Sequence, residues 1–144
     1  MEFDINAIII PGKEAGNVKI GWTYVEMINN ISISFDKSNP SLPDYVLHEM
    51  NGKASIFLSQ SKTVQEICVG KGYKGKVNGV FGIGDCLVDF IDLVKYETNF
   101  ADSEGFFYFP QIPGIRVLTA DWNEKGTSPI TFISVFDFVL GTVY

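Results

Sequence analysis

The sequence predicts an α+β fold: a mainly antiparallel sheet with two short helices, arranged as two tandem units of one helix followed by four strands. Three observations predict it. Short runs rich in β-branched and aromatic residues recur between turn signals, helical periodicity is confined to two places, and those two places match each other in sequence.

Residues 3–10 are the first apolar run and are expected to form an extra strand ahead of the units. The first helical segment follows. Lys19-Ile20-Gly21-Trp22-Thr23-Tyr24-Val25-Glu26-Met27-Ile28 lies without a gap over Gly82-Ile83-Gly84-Asp85-Cys86-Leu87-Val88-Asp89-Phe90-Ile91. Ile, Gly, Val and Ile coincide, and Tyr/Leu, Glu/Asp and Met/Phe agree in character. In each copy Ile-Gly closes an extended stretch and a helix of about two or three turns follows. Its apolar stripe is expected at Tyr24, Val25 and Ile28, and at Leu87, Val88 and Ile91, the i, i+1, i+4 spacing of one helical face. Asp85 is the expected N-cap of the second helix, and Gly84 is expected in a backbone conformation closed to residues with a Cβ.

Four strands are expected after each helix: residues 31–35, 45–50, 54–59 and 64–69 in the first unit, and 95–100, 106–109, 115–120 and 130–138 in the second. Asn51-Gly52, residues 70–76, 103–105, Pro113-Gly114 and residues 125–129 separate strands with the Gly, Pro, Asn and Ser chemistry that turns require. The fourth strands rhyme, Ile67-Cys68-Val69 against Ile133-Ser134-Val135. The units therefore span about residues 17–70 and 80–138 of a single domain, 1–144. A helix this short cannot bury its stripe alone, and pairing two units gives it a sheet to lie on.

With 144 residues, 46% hydrophobic and 19% charged, the chain has the composition of a globular domain rather than a disordered one. Seventeen acidic residues against eleven Lys and Arg leave a formal charge of −6, which disfavours direct contact with nucleic acid. Residues 85–124 hold eight of the acids, Asp85, Asp89, Asp92, Glu97, Asp102, Glu104, Asp121 and Glu124, against Lys95 and Arg116 only, so the rest of the chain is balanced. Glu2 and Asp4 stand where a signal peptide would carry bases, and no export signal is expected. Residues 130–140 are apolar, but Asp137 interrupts them and they fall short of the ~20 residues of a spanning helix, so a soluble protein without membrane contact is expected. Cys68, Cys86 and the single histidine, His48, make neither a disulfide framework nor a zinc cluster, so a reducing, cytoplasmic setting without metal or cofactor is expected.

No catalytic signature stands out. Gly79, Gly82 and Gly84 follow GxxGxG, which lacks the Walker Lys-Ser/Thr and the dinucleotide order, and they read as a tight strand-to-helix turn. His48 alternates with Tyr45, Leu47 and Glu49, sharing a strand face with Val46 and Met50, and reads as a structural or surface side chain. Cys86 begins a helix, where the dipole lowers a thiol pKa, but the position equally suits packing. Asp85, Asp89 and Asp92 are spaced to share one helical face, where like charges at i, i+4 cost about 0.2–0.5 kcal/mol. The first copy has Trp22, Glu26 and Asn29 there, so the acidic face is not a requirement of the fold. A cationic partner explains such a face. Phe100, Phe106, Phe107, Tyr108, Phe109 and Trp122 interleave with the acids, and those facing outward would serve as interface anchors. The expected partner-binding set is Asp85, Asp89, Asp92, Glu97, Asp102, Glu104, Asp121, Trp122 and Glu124.

The run Tyr73-Lys74-Gly75-Lys76, then Gly79, Gly82-Ile83-Gly84-Asp85, Leu87 and Asp89, followed by Tyr96, Ile112-Pro113-Gly114-Ile115 and a final Pro129-Ile130 and Ile133-Ser134-Val135, resembles small bacterial immunity proteins. These are the intracellular antidotes of contact-dependent inhibition and related polymorphic toxin systems. The tandem helix and four-strand outline is also similar to a secreted inhibitor of β-lactamases, without that protein's signal peptide or disulfide pairs. The immunity resemblance implies a noncatalytic protein that binds a cognate toxin domain, often a basic nuclease, and blocks it. It carries over no contact residue. Two other classes stay open on the residues alone: a small enzyme or ligand carrier with a pocket between the two units, and a structural module of a larger assembly.

Overall fold

A computed structural model describes residues 2–31, 35–36, 46–49, 54–90, 97–99, 106–120 and 127–137, with backbone alone at 35–36, 46–49 and 97–99. Its centre is an eight-stranded antiparallel sheet. A small hairpin, β1 (Glu14–Ala15) and β2 (Val18–Lys19), precedes helix α1 (Tyr24–Asn30), and β3 (Phe35–Asp36), β4 (Val46–Glu49), β5 (Ala54–Leu58) and β6 (Val64–Val69) follow. A single 3-10 turn, Leu87–Phe90, then leads to β7 (Glu97–Asn99), β8 (Phe106–Tyr108), β9 (Ile115–Thr119) and β10 (Ile130–Phe136). The sheet order β3-β4-β5-β6-β10-β9-β8-β7 is two four-stranded meanders joined through their last strands. This is the α+β, helix-plus-four-strand tandem that the sequence predicts.

Equivalent residues in the two units make equivalent bonds. The Gly21 amide donates to the Val64 carbonyl and the Val64 amide to Trp22; the Gly84 amide donates to Ile130 and the Ile130 amide to Asp85. Thr23 bridges to Thr63 as Cys86 bridges to Pro129. Both meanders carry a register shift at the start of the last strand: Leu58 pairs Val64 and Phe57 pairs Glu66, while Thr119 pairs Ile130 and Leu118 pairs Phe132. The β6–β10 pairing runs Ile67 with Val135, Cys68 with Ser134 and Val69 with Ile133, so a local two-fold axis passes between Cys68 and Ser134.

The helices differ. Thr23 caps α1, accepting from the Glu26 amide at 3.1 Å while the Glu26 carboxylate accepts from the Thr23 amide at 3.3 Å, a complete capping box. In the second copy Cys86 and Asp89 take those places. Sulfur is a weak acceptor and Asp is one carbon too short to reach back, and the described residues there, Leu87–Phe90, form a 3-10 turn. Asp85 is not its N-cap, because its carboxylate turns back to the Gly82 amide at 2.8 Å. The expected stripes hold at Tyr24, which packs against the core, and at Leu87, which is fully buried, but not at Val25, Ile28 and Val88, which are 59%, 45% and 39% exposed, while Met27 is fully buried instead. The core-facing line is half-buried Tyr24 with buried Met27 and Ile31, at i, i+3 and i+7, and buried Leu87 with half-buried Phe90 in the second copy. Ile91 lies outside the described residues.

Residues 3–10 are not a strand. Asp4 accepts from the Asn6 amide at 2.8 Å and the Ala7 amide reaches the Asp4 carbonyl, forming a turn that stops extension after Asp4. The segment instead threads against the inter-unit linker. Ile9 bridges to Val77 and Ile10 to Glu14, and the Tyr73 hydroxyl donates to Ala7 at 2.7 Å while accepting from the Gly16 amide at 2.8 Å. Phe81 anchors the core with Phe109 at 5.3 Å and Phe90 at 6.2 Å, alongside Ile56, Ile67, Leu87, Phe107 and Ile133. Among the described residues no helix is long and apolar enough to cross a membrane.

Gly84 has φ +92° and Gly21 φ +91°, and an added Cβ at either position would meet nothing within 4 Å. The cost of substitution there is therefore backbone strain alone. Gly84→Val is expected to lower stability by about 1–3 kcal/mol, and Gly21→Val by a similar amount. Thermal or denaturant melts check this, and an unchanged melt for either variant would refute a shared turn requirement.

Candidate functional site

Strand alternation sends Ala54, Ile56 and Leu58 of β5, Ile67 and Val69 of β6, Ile133 and Val135 of β10 and Val117 of β9 into the core. The intervening residues occupy the opposite face of the sheet. There the registers align one transverse row across all eight strands: Asp36, His48, Ser55, Cys68, Ser134, Arg116, Tyr108 and Glu97, each paired with the next. Every member is polar or a thiol, and the two-fold axis bisects the row. For Asp36, His48 and Glu97 the backbone fixes the register position.

The centre of this face holds an ion pair. Arg116 Nη2 donates to Glu66 Oε2 at 3.3 Å, with side chains only 10% and 12% exposed, and the Ser134 hydroxyl donates to the same carboxylate oxygen. The Arg116 guanidinium also lies over the Phe106 ring, 4.1 Å from its centroid. Glu66 belongs to the first unit, whereas Arg116 and Ser134 belong to the second, so this cluster crosses the junction beside the axis. The Cys68 thiol shares its surroundings. Burial pushes its pKa up to about 12; the Glu66 carboxylate adds to the rise and Arg116 opposes it. A thiol held neutral in this way is not a nucleophile at neutral pH.

The predicted partner-binding residues separate. Asp85 is half-buried and tied to Lys76 Nζ at 3.3 Å as well as to the Gly82 amide, so it braces the Gly turn and cannot join Asp89 in an acidic helix face. Asp89 is exposed on the 3-10 turn, whose Leu87 enters the core, while Glu97 sits in the outer-face row. Asp92, Asp102, Glu104, Asp121, Trp122 and Glu124 lie outside the described residues. The glycine motif forms tight turns: Gly79 and Gly84 have positive φ, and a Cβ on Gly82 would come within 3.1 Å of the Gly75 carbonyl. Cys86 is half-buried at the start of the 3-10 turn.

Sequence reasoning missed Glu66, Arg116 and Ser134. The alternation Ile115-Arg116-Val117 places Arg116 opposite the core, but its partner is in the other unit and is brought near only by the β6–β10 register. Open grooves occur elsewhere, one of about 420 Å³ beside Glu2, Asp4 and Asn17 and one of about 300 Å³ beside Ser59, Thr63 and Asp137. Neither contains the ion pair. Among the described residues no three His, Cys, Asp or Glu side chains converge as metal ligands.

Removing one member of a buried pair strands the other charge. Glu66→Ala is expected to cost about 3–5 kcal/mol, and the double variant Glu66→Leu/Arg116→Met much less than the sum of the single changes. A denaturant double-mutant cycle measures this, and additive losses would refute the coupling. The raised pKa of Cys68, and that of Tyr73, also pushed up to about 12 by burial, carry a second consequence. Above their ordinary ranges the unfolded chain loses these protons while the folded chain keeps them, so stability is intact at neutral pH and falls as pH rises from about 9 to about 12. Alkaline melts of wild type against Cys68→Ala test this: the variant is expected to lose less stability over that window.

No family model matches the chain, and no curated protein or solved structure matches it either.

Proposed function

We propose that this chain is an immunity protein of a bacterial contact-dependent inhibition or related toxin system. It acts in the cytoplasm as a noncatalytic inhibitor of a basic toxin domain, of which a nuclease is the favoured kind. The observation that carries the reading is the placement of charge. The whole formal charge of −6 falls in residues 85–124. Arg116, one of only two bases in that region, is spent on Glu66 within the fold, so it does not offset the acids on the surface. A protein that needed acids only for solubility would gain more from spreading them. Concentrated charge of one sign accelerates encounter with a partner of the other sign and rejects like-charged competitors. The neutral Cys68 thiol and the engaged Ser134 hydroxyl agree with a binding role for the sheet rather than nucleophilic chemistry.

The test is association with the basic toxin domain encoded in the adjacent reading frame. Asp89→Lys and Glu97→Lys, made singly and together, are expected to slow association by about tenfold in low salt, with the difference shrinking in high salt. Glu2→Lys, exposed and outside the acidic region, is the control. Equal rates for all variants, or protection of toxin-expressing cells that survives the double reversal but fails in the control, would overturn the charge reading. Toxin-independent catalytic turnover lost on changing His48 or Cys86 would replace it with an enzyme.

A further inference from the structure

The two units share one backbone plan but not one set of outer-face side chains, and the largest departure is at Phe132. Glu66 and Phe132 hold equivalent places, since each is the first residue after the register shift and pairs with Phe57 or Leu118 on the neighbouring strand. In the first unit that place carries a carboxylate that closes the cross-unit ion pair. In the second it carries a phenyl ring that is 46% exposed, in the middle of the sheet rather than at a fraying end. The fold therefore accepts a polar side chain here and does not require the ring. An aromatic left in water on a central strand needs another reason.

Its surroundings supply one. The ring lies across the β6–β10 seam over Gly70, where an added Cβ would come within 3.0 Å of it. Leu118, half-buried, is its cross-strand neighbour, and half-buried Phe106, one residue before the Phe107–Val117 pair, continues the line toward the sheet edge. Phe106 in turn carries the Arg116 guanidinium on its face. Apolar and aromatic groups beside a fixed arginine, in a line whose register partner on the edge strand is Asn99, have the make-up of an interface core.

We propose that the outer face of the second unit, centred on Phe132 with Leu118 and Phe106, is the surface on which the basic toxin domain docks, with Phe132 as its apolar anchor. This rests on the inhibitor reading and adds the location to it. Charge selects the occupant: residues 85–124 carry −6, and so does the chain as a whole, so a second copy would be repelled whereas a basic surface is drawn in. The helix side is the competing location. It exposes Val25, Ile28 and Val88, but Val25 and Val88 are equivalent residues and so follow from the shared plan, whereas Phe132 departs from it.

The experiment compares Phe132→Gln with Val25→Ser, a matched loss of exposed apolar surface on the helix side. The probe is the toxin domain of the adjacent reading frame, rendered inactive, followed by surface-bound kinetics and by hydrogen exchange of residues 115–119 and 130–136. The expected result is dissociation about tenfold faster or more for Phe132→Gln, with little change in association, no effect of Val25→Ser, and slowed exchange in both strands on binding. If wild type binds tightly and only Val25→Ser weakens it, the docking surface is wrong while the inhibitor reading stands. If wild type does not bind, both fall. Loss of folding in Phe132→Gln would show the ring to be structural, and self-association abolished by that variant would make the occupant a second copy; either result overturns the proposal.

Discussion

β6 and β10 are the strands on which the molecule depends. Each is the last strand of a four-stranded meander, and each would be an open edge if its unit stood alone. Paired antiparallel about an axis between Cys68 and Ser134, they close both edges at once and set Ile67, Val69, Ile133 and Val135 side by side in one core. A slip of one residue in either strand would turn its two core residues onto the outer face and carry Cys68 or Ser134 inward, so burial and register enforce each other. The register shifts before Glu66 and Phe132 add to this constraint, because they place each strand's entry against its own Gly turn through the Val64 and Ile130 hydrogen bonds.

Two-fold pairing of similar strands leaves the question of what distinguishes the halves. On the core side the matched positions stay buried and differ in size, Ala54 against Ile115 and Ile56 against Val117, with a change of polarity at Leu58 against Thr119. On the outer side they differ in charge. Ser55 in the first unit corresponds to Arg116 in the second, and Glu66 to Phe132, so the ion pair runs from one half to the other and has no symmetric counterpart. A buried Arg–Glu pair gives little net stability over apolar packing. Here it joins two units whose backbones alone would fit each other in either role, and it removes a positive charge from the half that carries the acidic excess.

The helices show how a shared plan diverges through capping. Thr23 and Glu26 complete a reciprocal box at the head of seven residues of α-helix, whereas Cys86 and Asp89 at the same places lack the chemistry for one. Asp85 is instead drawn backward by Lys76 and the Gly82 amide. The same carboxylate that seemed suited to an acidic face is thus consumed in bracing the turn.

The sequence by itself determined the fold class, the strands of the main sheet and the repeat, though not the β1–β2 hairpin, because strand alternation, Gly turns and matched Ile-Gly segments are local signals that chain neighbours carry. Residues 64–69 and 115–119 are strands for reasons visible within a few residues. It also determined the charge map, which is additive and needs no coordinates. It determined the helix stripe only at Tyr24 and Leu87, since the choice of Met27 over Val25 depends on how the helix packs against the sheet. Nor did it determine that residues 3–10 turn rather than extend, because their partners lie in the linker around Tyr73 and Val77. The outer-face row, the Glu66–Arg116–Ser134 cluster and the exposure of Phe132 were decided by tertiary structure alone. Their members come from strands far apart in the chain, and only the β6–β10 register brings them within reach of one another.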